Sequence, residues 1–71
     1  MVVWDRKIDI LEGKRAKVFC TDGSVYTGFG IGDGLGTNAN GEDEDAVRFR
    51  TDNGDEFLFI ESDIDYIELL N

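Results

Sequence analysis

Histidine and proline are absent from this chain of 71 residues, and cysteine occurs once, at Cys20. Without histidine there is no imidazole to ligate zinc or to serve as the usual acid–base catalyst. A single cysteine excludes both an intrachain disulfide and a cysteine zinc site. No apolar run approaches the ~20 residues of a membrane span, and no stretch resembles a signal peptide. A membrane partner is therefore not expected, and a free thiol without an export signal makes the cytoplasm the expected compartment. The missing proline leaves strand edges open, because proline is one device by which soluble proteins block edge-to-edge pairing. A chain of this size buries only about 60% of its unfolded surface, so self-association is the expected supplement to one modest core.

Basic side chains are also scarce, seven against 16 acidic ones, for a net charge of −9. The imbalance is uneven: residues 1–20 carry five basic and three acidic groups, residues 42–71 two and eleven. Nucleic-acid affinity rests largely on neutralising phosphates, so RNA is disfavoured and could use only Lys14, Arg15 and Lys17 or the pair Arg48 and Arg50. A basic protein is the outside partner that the charge admits. Carboxylates are plentiful, yet none is singled out by an apolar setting that would split a pair of pKa values, so catalysis is not expected. No cofactor is expected either.

Glycine, in contrast, is abundant where it matters most. It recurs at 28, 30, 32, 34 and 36, with Phe29, Ile31, Asp33 and Leu35 between. Alternation in a strand gives one bare face and one mostly apolar face. Glycine inside a strand marks a bend, a bulge or the close approach of another backbone. The run fails as a dinucleotide loop because the third glycine of Gly-x-Gly-x-x-Gly is missing at each trial position, and no Gly-Lys-Ser/Thr follows it.

Around this strand the rest of the chain divides readily. Trp4, Ile8 and Leu11 form an apolar stripe at helical spacing, read as a short helix over 4–11; Ile8 and Ile10 also alternate about Asp9, which fits a strand. Residues 14–21 read as a strand with Ala16, Val18 and Cys20 on one face, and Cys20 reads as a small core residue. Asp22-Gly23 and Asn53-Gly54 are hairpin signals in which glycine takes positive φ. Strands follow at 24–34, 46–51, 56–61 and 64–70, with Val47 and Phe49 inward and Arg48 and Arg50 outward, paired with acids across the sheet. Residues 36–45 read as an exposed loop. Asn38, Asn40 and Gly41 imitate calcium-loop spacing there without its anchoring carboxylates, and the acids at 42–45 read as a solvated turn. Phe57, Leu58, Phe59 and Ile60 are apolar on both faces, so one face needs cover from the helix or from outside the chain. Ile64 and Tyr66 are assigned to one face of the last strand, Ile67 and Leu69 to the other.

A short helix and five antiparallel strands in so few residues give a mainly β domain, a small, strongly bent barrel spanning residues 1–71. With Gly13-Lys14-Arg15, Asp22-Gly23, Tyr26-Thr27-Gly28 and the ending Ile64-Asp65-Tyr66-Ile67-Glu68-Leu69, the layout resembles the Sm-like (LSm) family. The resemblance implies homo-oligomeric rings in which the fourth and fifth strands of neighbours pair. It makes Phe57, Leu58, Phe59, Ile60, Tyr66, Ile67 and Leu69 the edge residues. It also implies RNA-site equivalents: Asp33 and Asn38 for the family's first motif, and Glu61, Ser62 and Asp63 where the second motif carries Arg-Gly. A carboxylate in place of that arginine removes a phosphate-attracting field and adds a repelling one. The expected function is a non-catalytic oligomerising or protein-interaction module, with divergent RNA binding as the alternative.

Overall fold

A computed structural model describes residues 6–70. It contains helix α1 (Lys7–Leu11), strands β1 (Arg15–Cys20), β2 (Val25–Thr37), β3 (Asp43–Thr51), β4 (Glu56–Ile60) and β5 (Ile64–Leu69), and a 3₁₀ turn at Glu61–Asp63. The five strands form one sheet in the order β4-β3-β2-β1-β5, and every pair is antiparallel. The sheet is not closed, because β4 and β5 are its two edges.

Those edges are nevertheless joined by a turn of 3 residues. Five flat strands would separate them by about 19 Å, whereas a 3₁₀ turn rises only about 2 Å per residue. The sheet must therefore curl. Tyr26 on β2 accordingly meets Phe57 and Phe59 on β4, at ring-centroid distances of 4.6 and 5.7 Å, although β3 lies between those strands. The concave side holds the core of Ala16, Val18, Val47, Phe49, Phe59 and Ile64. Helix α1 caps it with Ile8 and Leu11, both buried, while Trp4, the first member of the expected stripe, lies outside the described residues.

The tight turns follow their glycines. Gly23 and Gly54 have φ of +92° and +93°, and each closes a hairpin by donating to the carbonyl three residues earlier. No other residue type among those described has positive φ, so only the last turn position is left-handed and the two-positive-φ form of a two-residue hairpin is absent. A third hairpin of the same bonding pattern runs from Asn38 to Glu42, with Gly41 at φ +82°. The expected loop over 36–45 thus shrinks to 38–42. Asp43, Glu44 and Asp45 belong to β3, facing Thr37, Gly36 and Leu35 of a β2 that ends three residues later than expected. Backbone pairing overrides the poor strand propensity of these acids.

Two bulges correct the assignment of faces. The β2–β3 register shifts between Gly30 and Gly32, so Ile31 is an extra residue in β2. Glycines 28 and 30 therefore face the concave side, and glycines 32, 34 and 36 the convex one. No single bare face runs the length of the strand. At Gly30 the helix end passes so close that a Cβ would collide with the Leu11 carbonyl. On β5 the register against β1 shifts between Phe19 and Cys20, pairing them with Tyr66 and Ile64 and leaving Asp65 extra. Ile64 and Tyr66 thus lie on opposite faces: Ile64 is buried in the core, whereas Tyr66 stacks on Phe19 outside it with centroids 4.2 Å apart.

Candidate functional site

Along the free edge of β4, Phe57 and Phe59 pair with Phe49 and Val47 and turn inward. Leu58 and Ile60 turn outward, yet Ile60 is only 5% exposed. Its Cγ2 occupies the space that a Gly36 side chain would take, next to Ala46. The cover expected from the helix or a second chain is therefore supplied for Ile60 by the convex, glycine-lined half of β2. Leu58 lies over Gly34 in the same way but stays 49% exposed. Beside it a hollow of about 480 Å³ is lined by Gly34, Leu35, Arg48, Glu56, Phe57 and Leu58. Arg48 and Arg50 both donate to Glu56, at 3.2 and 3.1 Å, so two guanidiniums share one carboxylate and hold it below the usual carboxylate range.

Past the bulge on β5, Tyr66 (53% exposed) and Glu68 face the convex side, while Ile67 and Leu69 (49% exposed) face the core side. Glu68 lies opposite Lys17, but these two form no ion pair among the described residues; the Lys17 ammonium stands 5.4 Å over the Phe19 ring instead. Both edges thus combine half-exposed apolar side chains with a backbone that no other strand pairs among the described residues.

The five RNA-site equivalents do not converge on one cavity. Asn38 is a turn residue: its Oδ1 accepts from the Asn40 and Glu42 amides, and its Nδ2 donates to Glu44 at 2.6 Å. Asp33 lines a cleft of about 520 Å³ that runs along α1 from Arg6 to Glu12, shared also with Asp9 and Asp45. Contact with Asp33, with further repulsion from Asp33 and Asp9, raises the Glu12 carboxyl above its ordinary value. Glu61 is not among the cleft residues and meets the first turn of the helix. One of its oxygens accepts from the Ile8 amide at 3.2 Å and the other meets Lys7 Nζ at 3.3 Å. Burial pushes the Glu61 carboxyl up, but hydrogen bonds from the Lys7 and Ile8 amides and from the Lys7 side chain outweigh it, leaving a lowered pKa. Asp63 accepts from the Ile60 amide and closes the 3₁₀ turn, while its carbonyl and that of Ser62 accept from Thr21.

Sequence reading missed the tie from Glu61 to α1 and the Arg6 contacts to Asp9 and Asp45. The Glu61 and Asp45 contacts join residues 39 to 54 positions apart, a separation at which no spacing rule operates, whereas Arg6 and Asp9 are a helical pair three residues apart. The third hairpin was findable, because Asn40-Gly41 is itself a turn pair. Cys20 is half-buried, and burial, then Asp22 and Asp63, push its thiol up, away from reactivity. Among the described residues, no group of three or more acidic, cysteine or histidine side chains is placed to hold a metal ion.

Compared with known protein families, with curated proteins and with solved structures, the chain matches none.

With Glu61 and Asp63 engaged in holding the fold, no tight binding is expected to uridine-rich or adenine-rich single strands near physiological salt. Fluorescence anisotropy checks this, and a sub-micromolar, salt-sensitive Kd would overturn it.

Proposed function

We propose that this chain is a non-catalytic assembly module of the Sm-like kind, whose copies join β4 of one to β5 of the next. Repeating that contact closes a ring where the rotation permits, and it completes the barrel that the curled sheet leaves open. The observation that supports this reading is the pair of free edges at the two ends of one sheet, with Leu58, Tyr66 and Leu69 half-exposed beside them. Pairing removes unsatisfied edge backbone from water and covers those side chains, each contributing up to about 1.5–3 kcal/mol if fully buried. Proline, which would forbid such pairing, is absent.

Sedimentation equilibrium tests the proposal. Oligomers are expected at tens of micromolar in moderate salt. Each copy carries −9, so screening the mutual repulsion tightens assembly as salt rises. A monomer throughout that range would overturn the reading.

A further inference from the structure

Resting on the edge pairing proposed above, we infer that β4 and β5 of neighbouring copies meet in one register, with Leu58 opposite Glu68 of the second copy. The pairing is antiparallel, like every other pair in this sheet. Matching convex to convex side chains restricts the choice to registers two residues apart. With Leu58 opposite Tyr66, Glu56 would face Glu68 and buried Phe59 would face the bulged Asp65. Like charges directly opposite are destabilising, and so is a carboxylate set against a buried apolar side chain, whereas Leu58 is 49% exposed. With Leu58 opposite Leu70, Glu68 would face the buried Ile60 and Phe57 would face the polar Asn71 instead of an apolar residue. With Leu58 opposite Glu68, Phe57 meets Leu69 and Phe59 meets Ile67 on the core side, while Ile60 meets Tyr66 on the convex side.

Charge favours the same register. Arg48 lies directly across β3–β4 from Leu58 and shares Glu56 with Arg50, so the convex side beside this edge carries two cations on one carboxylate. Glu68 has no ion-pair partner among the described residues of its own copy. Across the seam the second copy's Glu68 comes within reach of Arg48 over the hollow beside Leu58. A long guanidinium and a carboxylate span the two strand spacings, about 10 Å, that separate their backbones.

Disulfide trapping reads the register. In a Cys20→Ser background, Leu58→Cys protein is mixed in turn with Tyr66→Cys, Glu68→Cys and Leu70→Cys proteins and oxidised. Mass spectrometry then counts mixed dimers. Directly opposite Cβ atoms lie about 5 Å apart and diagonal ones 7–8 Å, so the Glu68→Cys mixture is expected to exceed the others by about fivefold or more. A maximum at 66 or 70 overturns the register but leaves edge assembly intact. Assembly without any mixed dimer overturns the register and moves the contact off these edges, and a monomer overturns both inferences. Glu68→Arg supplies a check free of cysteine chemistry. It is expected to weaken association about tenfold, and adding Arg48→Glu is expected to restore most of it. Failure of the second change to restore association removes the ion pair.

Discussion

A Gly30→Val variant is expected to lose most of its folded population. Gly30 is buried on the concave side of β2, and any Cβ there would overlap the Leu11 carbonyl oxygen and carbon, backbone atoms with no freedom to swing away. The same backbone is pinned by hydrogen bonds, Gly13 donating to the Gly30 carbonyl at 2.8 Å and Gly30 to the Lys14 carbonyl at 3.0 Å. Admitting valine therefore means prising α1 off the sheet and exposing Ile8 and Leu11, which are 3% and 0% exposed. The cost is about 3–5 kcal/mol, comparable with the whole stability expected of a domain this small. Gly34→Ala is the matched control. Its Cβ would meet Leu58 Cδ2 at 2.6 Å and Arg48 Cγ at 3.2 Å, atoms of side chains that can move aside, so a loss under about 1 kcal/mol is expected. Urea unfolding of the two variants checks the contrast, and equal losses would refute the close approach at Gly30.

Glu61→Arg is expected to destabilise the fold and free helix α1, with or without Ser62→Gly beside it. The substitution removes the acceptor for the Ile8 amide and sets a guanidinium against the Lys7 ammonium. These groups are about one-third exposed, so solvent screening limits the loss to about 1–2 kcal/mol. Hydrogen exchange at the Ile8 amide should accelerate in the variant before the core amides do. Because the folded carboxyl has a lowered pKa, the wild-type contribution is present above the ordinary glutamate value and is lost as pH falls through the lowered one. Unchanged exchange at Ile8 would show that the tie carries no weight.

Much of the architecture was legible because it is written in local chemistry. Asp22-Gly23 and Asn53-Gly54 specify turns through the one residue type that takes positive φ without steric cost. Alternation of Ala16 and Val18 with Lys17, and of Val47 and Phe49 with Arg48, places the core correctly on two strands, all four apolar residues being buried. Arg48 and Arg50 find their acid across the sheet, at Glu56. Less of the candidate site could be read. The apolar run at 57–60 correctly signals two faces, but it does not reveal that Ile60 is covered by the chain's own Gly36.

By itself, then, the sequence determined the number of strands, their turns and which side chains are apolar, because each depends on neighbours a few residues away. Tertiary structure alone decided which face each residue of β2 and β5 presents. An extra residue at Ile31 or Asp65 reverses the alternation, and its position is set by pairing with Phe49 and Arg48, or with Phe19 and Cys20, far along the chain. It also decided that Glu61 bonds the amide of Ile8, 53 residues before it, and that β4 and β5 are the strands left at the edges of the sheet. These outcomes turn on the competition among long-range contacts for the same backbone groups and the same space, which no window of local sequence contains.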